Sequence, residues 1–119
     1  MNISIDSLDK GKIEGALSLI HKYDCRKYVY FTSKNEGVLK YLSEIAPDLG
    51  RCFLGDSLES ALKYNCSKIQ ISKINKELIE KAHKNDIRCN FETNERKAFD
   101  VGIDTIITND YSNISRIIK

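Results

Sequence analysis

Four carboxylates, Asp6, Asp56, Glu92 and Asp110, each stand just after a short run of β-forming residues. Hydroxyl and amide side chains occupy the same kind of position: Thr32, Ser33, Ser72, Asn94 and Asn109. Carboxylates brought together hold hard divalent cations such as Mg²⁺ or Ca²⁺, or divide acid and base roles between them. The plainer account is that Asp56 caps a helix and Asp110 opens a turn before Tyr111. A metal site needs several positioned ligands, so no metal-ligand set is read from these acids alone. His21 and His83 fall in helical patterns, at the end away from these acids. Surface or core-edge roles suit them better than catalysis, which requires hydrogen-bond reach to a substrate. The chain contains no phosphate-cradling glycine motif and no nucleophile elbow.

The elements that must position these groups alternate strictly. β-rich runs at 3–5, 28–31, 52–54, 69–71, 87–91 and 105–107 are separated by helical patterns. In residues 10–23, Ile13, Ala16, Leu17 and Ile20 recur at the spacing of one buried helical face. Val38, Leu42 and Ile45 do so in the second helix, and Leu78 and Ala82 in the fourth. Ser33 with Glu36, and Asp56 with Glu59, have capping-box spacing, and Asn94 precedes an acidic residue as a cap would. Helix stops are less marked. Such alternation predicts a parallel sheet with right-handed helical crossovers, which places all strand C-terminal ends on one rim. Ligands of parallel α/β proteins bind at that rim. The scattered polar residues therefore converge without any local motif.

The totals bound the rest. At 119 residues the chain suits a single domain, 1–119. Apolar residues at 41% and charged residues at 30% specify a folded core. A net charge of +2 with both signs intermixed is no footprint for nucleic acid. No apolar run approaches a membrane span, and the N-terminus lacks the basic start and apolar stretch of a signal peptide. The expected compartment is the cytoplasm. Cys25, Cys52, Cys66 and Cys89 show no C-x-x-C pairing and are read as reduced, largely buried thiols.

The order of segments resembles the glycerophosphodiester phosphodiesterase family. Ala82-His83 is similar to the end of a family helix, and Phe91-Glu92-Thr93-Asn94 stands where the family has Trp-Thr-Val-Asn. The run from Gly102 to Asn109 is similar to Gly-Val-Asp-Gly-Ile-Ile-Thr-Asp. Upstream, Thr32-Ser33-Lys34 fills a Ser-Ser-Phe position, Pro47-Asp48 a Pro-Asp turn, and residues 2–6 an Asn-Ile-Glu-Ile-Lys strand. The likeness covers nearly the whole chain. It implies an incomplete (β/α) TIM-type barrel of about six parallel βα units, corresponding to the third through eighth strands. The first two strands carry the family's catalytic histidines and the Glu-x-Asp metal ligands, and no positions here match them.

The resemblance also marks departures at the surviving positions. The third strand's metal-ligand Glu is Ser4, and the Lys two residues later is Asp6. The pocket Trp is Phe91, the following Thr is Glu92, and the last strand's Asp is Asn109; Ser33 and Asn94 match directly. Serine does not replace an ionised carboxylate on a hard cation, and an aspartate supplies no positive charge to a phosphodiester. The implied rim of a substrate pocket is thus Ser33, Phe91, Glu92, Asn94 and Asn109, with Ser4 and Asp6 as degenerate positions. The family's divalent metal, Ca²⁺ or Mg²⁺, has no ligand set here. The expected protein is a phosphodiesterase relative without activity on its own, retained as a binding or assembly module. The alternative is a phosphodiesterase completed by another chain. A receiver-like flavodoxin fold fits less well: Gly55-Asp56 gives its middle acid, but Asp6 is alone and no lysine follows the fifth strand. A partial barrel leaves sheet edges at residues 2–5 and 105–107, both read as apolar, so a homo-oligomer or a partner chain is expected to cover them.

Overall fold

The computed structural model describes residues 2–93 and 95–107. The strands are β1 (Asn2–Ser4), β2 (Tyr30–Ser33), β3 (Gly50–Leu54), β4 (Lys68–Ile71), β5 (Arg88–Glu92) and β6 (Thr105–Ile107). The helices between them are α1 (Lys10–Lys22), α2 (Glu36–Ile45), α3 (Leu58–Lys63) and α4 (Lys76–Lys84). Short 3-10 segments at Arg26–Tyr28 and Arg96–Val101 complete the connections. All strand pairs are parallel, and their spatial order is their chain order, β1 to β6. The result is a curled half-barrel, the partial TIM-type barrel expected from the sequence.

Strand parity decides which side each residue serves. Phe31, Phe53, Ile69, Ile71 and Cys89 are buried against the helices, with Ile3, Ile5 and Ile106 packed partly buried beside them. One cluster joins α1 and α2 to β1 and β2 through Ile13, Ile20, Val38 and Leu42. The other joins Ala61, Ile79 and Ala82 of α3 and α4 to β3–β5. Every crossover thus packs on one face, as right-handed connections between successive neighbours require. The expected helical faces hold for Ile13, Ile20, Val38, Leu42 and Ala82. Ile45 is a correction: it is 42% exposed, because α2 ends there and Ala46 turns into the core instead. The edge at β1 is also less apolar than expected, since Asn2 and Ser4 are exposed and only Ile3 is half-buried.

The caps fall beside the positions expected from spacing. Asn35, not Ser33, caps α2 by accepting from the N–H groups of Gly37 and Val38. Ser57, not Asp56, caps α3. Asp9 and Asn75 cap α1 and α4. Apart from that of α2, the helix stops, less marked in the sequence, share one device. After α1, α3, α4 and the 96–101 segment, Asp24, Asn65, Asp86 and Gly102 take left-handed φ values of 50°, 52°, 58° and 99°. The next N–H then reaches back five residues: Cys25 to Ile20, Cys66 to Ala61, Ile87 to Ala82 and Ile103 to Ala98. This is the Schellman arrangement, and here it drops Cys66, Ile87 and Ile103 into the core just before a strand begins. Buried Arg51 ties the turns after α2 and α3 to β3 by donating to the carbonyls of Leu49, Pro47, Tyr64 and Asn65.

A Cβ at Gly102 would lie 3.0 Å from Ile79 Cγ2 in a backbone region that L-residues disfavour. Gly102→Ala is expected to lower the unfolding free energy by about 1–3 kcal/mol. Asn65→Gly, at a left-handed position with an ordinary side chain, should change it by less than about 1 kcal/mol. Urea unfolding of the two variants checks this contrast.

Candidate functional site

The C-terminal rim holds a cavity of about 420 Å³ between the ends of β3, β4 and β5. Phe91 and Glu92 line it together with Leu54, Gly55, Gln70 and Ser72. Two of the expected rim residues are therefore in one place. Phe91 reaches the cavity from the helix side of β5, where it also packs on the core, and Glu92 projects from the opposite, concave side. Ser33 is in a different situation. Its hydroxyl donates to the Ile5 carbonyl at 2.5 Å and accepts from the Asn35 N–H at 3.0 Å, so it is committed to joining β1, β2 and the start of α2. Ser4 and Asp6 are exposed on the β1 side of the sheet, with three strands between β1 and β5. Asn94, Asn109 and Asp110 lie outside the described residues. Asp56, expected as a cap, instead accepts from the Ser72 N–H at 2.9 Å and from the Ser72 hydroxyl. It bridges the ends of β3 and β4, and its partner Ser72 lines the cavity. Spacing could not reveal that bridge, because its partners belong to separate βα units.

Below the rim, the concave face is polar. Register places Thr32, Cys52, Lys68 and Arg88 in one row, and Leu54, Gln70, Asn90 and Thr105 in the next. The Thr32 hydroxyl donates to Asn2 Oδ1 at 2.5 Å, and Lys68 Nζ lies 3.6 Å from the centre of the Tyr30 ring. Burial lowers the Lys68 pKa from its ordinary value and raises that of the Tyr30 hydroxyl. Burial likewise pushes the Cys52 thiol up to about 12. Asn90 is fully buried; its amide donates weakly to Cys52 Sγ at 3.9 Å, and its Oδ1 has no partner among the described residues. A buried carbonyl left without a partner costs about 1–3 kcal/mol.

A second cluster lies at the opposite end of the strands. Asp104 Oδ2 accepts from the Cys89 N–H at 2.7 Å and contacts His83 Nε2 at 2.8 Å. A cavity of about 430 Å³ opens beside it, lined by His83, Asp86, Ile87, Arg88 and Asp104. Cys89 Sγ belongs to the same cluster, and burial raises its thiol to about 11.

The half-barrel and its open rim define a parallel (β/α) architecture with its polar groups at the strand ends. No protein-family model and no curated protein matches the sequence. Solved structures do match the fold. A candidate glycerophosphodiester phosphodiesterase from Galdieria sulphuraria superposes with a TM-score of 0.82 at 16% identity, over 98% of this chain and 56% of its own length. A phosphodiesterase from Oleispira antarctica, solved with the product sn-glycerol-3-phosphate, gives 0.78 at 14% identity, over 98% and 55%. A glycerophosphodiester phosphodiesterase from Parabacteroides distasonis gives 0.76 at 12% identity, over 98% and 56%. The chain therefore has the fold of a partial phosphodiesterase-type barrel, and it spans little more than half the length of these structures.

All four cysteines are free, and only Cys25 is more than marginally accessible. Raised thiol pKa values of about 12, 11 and 11 at Cys52, Cys66 and Cys89 leave almost no thiolate at pH 8. A disulfide reagent such as DTNB should therefore modify about one thiol rapidly in the native protein and all four in denaturant, with Cys25→Ser removing the fast phase.

Proposed function

We propose that this chain is a glycerophosphodiester phosphodiesterase relative that does not hydrolyse diesters by itself and acts as a binding or assembly module. The buried Asn90 Oδ1, without a partner among the described residues on the polar concave face, carries this reading. Catalysis in a barrel needs its groups to converge from strands around the whole ring. Here Ser4 and Asp6 stand at metal-ligand and cation positions with the wrong chemistry, while Ser33 is spent on strand contacts. Phe91 and Glu92 remain as pocket wall and rim acid, with Asn94 and Asn109 as further proposed rim groups. The implied Ca²⁺ or Mg²⁺ does not fit this rim: a serine hydroxyl and an isolated aspartate are a poor donor set for a hard cation.

Assembly follows from the open sheet. β1 and β6 end it, and a partner strand or a second copy that covers these edges also covers the polar face between them. The +2 charge with both signs intermixed argues against nucleic acid as that partner. No helix among the described residues is long and apolar enough to cross a membrane. Four free thiols suit a reducing compartment, which supports the cytoplasm.

A second reading has one specific support: the fold match runs over 98% of the chain to a phosphodiesterase solved with its product. Two further βα units supplied from outside these residues would then restore activity. The deciding measurement is hydrolysis of a glycerophosphodiester with Ca²⁺ or Mg²⁺, run beside light scattering at tens of micromolar. The expected result is no turnover above the enzyme-free control and an oligomer. Turnover by the purified chain would overturn the inactive reading, and a monodisperse monomer would overturn self-assembly.

A further inference from the structure

We propose that His83, Cys89 and Asp104 form a zinc site at the N-terminal end of the sheet, with a solvent water as the fourth ligand. The three donors come from separate elements: the last turn of α4, the second residue of β5, and the residue before β6. One ligand atom from each lies within 4.8 Å of the others. Imidazole nitrogen, thiolate sulfur and carboxylate oxygen are the donors zinc takes, and three protein ligands with an open position make an accessible tetrahedral site. Bond lengths of about 2.0–2.3 Å place tetrahedral donors roughly 3–4 Å apart. The present spacing brackets that range, and the 2.8 Å contact between His83 and Asp104 opens slightly as the ion enters.

Three surroundings fit the same reading. The 430 Å³ cavity includes both His83 and Asp104 in its wall and gives the ion a path and a water. The Cys89 N–H holds the Asp104 carboxylate in place, the kind of outer hydrogen bond that orients metal ligands. Gly102 lets the backbone pass close to the imidazole: a Cβ there would stand 3.5 Å from His83 Cε1. Cys89 itself is fully buried, so the ion would be capped by the core on one side and open to the cavity on the other. Binding replaces the thiol proton, which leaves to solvent, and the His83–Asp104 hydrogen bond; the imidazole takes the tautomer with its proton on Nδ1, which frees the Nε2 lone pair for the metal. The site would clamp α4, β5 and β6 together. It is remote from the rim, so it stands or falls independently of the proposed function.

The test uses Co²⁺ as a spectroscopic substitute for zinc in a Cys25→Ser background, which removes the accessible thiol. Binding at the proposed site gives a sulfur-to-cobalt charge-transfer band in the near ultraviolet and tetrahedral visible bands, both displaced by Zn²⁺. Cys89→Ser is expected to abolish the charge-transfer band. His83→Gln, an exposed position that leaves the core untouched, is expected to weaken Zn²⁺ binding by about tenfold or more in direct titration. Absence of the band in the Cys25→Ser protein, or its persistence in Cys89→Ser, would overturn the proposal. Unchanged zinc affinity in His83→Gln would do the same even if the Cys89 variant failed to fold.

Discussion

A parallel strand cannot turn straight back to its neighbour; it must be carried over the sheet by a crossover, and crossovers of one hand fall on one face. In this chain that constraint governs everything else. Because the strand order is β1 to β6 without a jump, the helices among the described residues stack on one side, and the other side is left concave. Apolar residues of one strand parity are consumed by the helices. Residues of the other parity, Thr32, Cys52, Lys68, Gln70 and Asn90 among them, look into a half-closed interior. Curling is enough to bury Thr32, Cys52 and Asn90, and it leaves Asn90 Oδ1 without a hydrogen-bond partner among the described residues. The polar interior and the open edges therefore have one cause.

Local contacts make such a half-structure able to fold. Each βα unit has its own stop and start: a side-chain cap at the front of every α-helix, and a left-handed residue behind α1, α3 and α4. The core divides the same way, into one cluster around α1 and α2 and another around α3 and α4. Neighbouring units satisfy each other, so subtracting units from a barrel removes coverage at the ends without dismantling the middle. Arg51 shows the cost of that economy. Its guanidinium is buried with no carboxylate partner among the described residues and is held by four backbone carbonyls of the flanking turns.

The sequence made the architecture legible because the periodicities of strand and helix repeat over many residues, where errors average out. The last strand was placed at its observed bounds, and the others within about two residues. Single-residue assignments did not average. Ser33 and Asn35 are both competent caps, and only the nearby Ile5 carbonyl, a partner from another strand, decides between them. Asp56 and Ser57 adjoin, and the choice rests on Ser72 one unit away. Convergence of Phe91 and Glu92 on the rim cavity followed from topology, whereas Ser33 shared the rim but not the cavity. Asn94 and Asn109 fall outside the described residues.

The least legible feature was the cluster at the far end of the strands. His83, Cys89 and Asp104 have no motif spacing, and each has an innocuous local explanation: a helix end, a buried strand thiol, a turn acid. They meet because three features of the chain agree. The left-handed turn at Asp86 brings β5 back beside α4. Gly102 clears the space against His83, and Asp104 then pairs its own N–H with the Cys89 carbonyl while its side chain receives the Cys89 N–H. The same Schellman geometry that ends the helices therefore also assembles these donors. Barrel-type folds ordinarily reserve the rim for chemistry and the opposite end for stability. In this chain the rim cavity holds Phe91 and Glu92, while the opposite end has gathered His83, Cys89 and Asp104. If a metal is held there, it serves the role that position already has: it ties α4, β5 and β6 together at one end of the sheet.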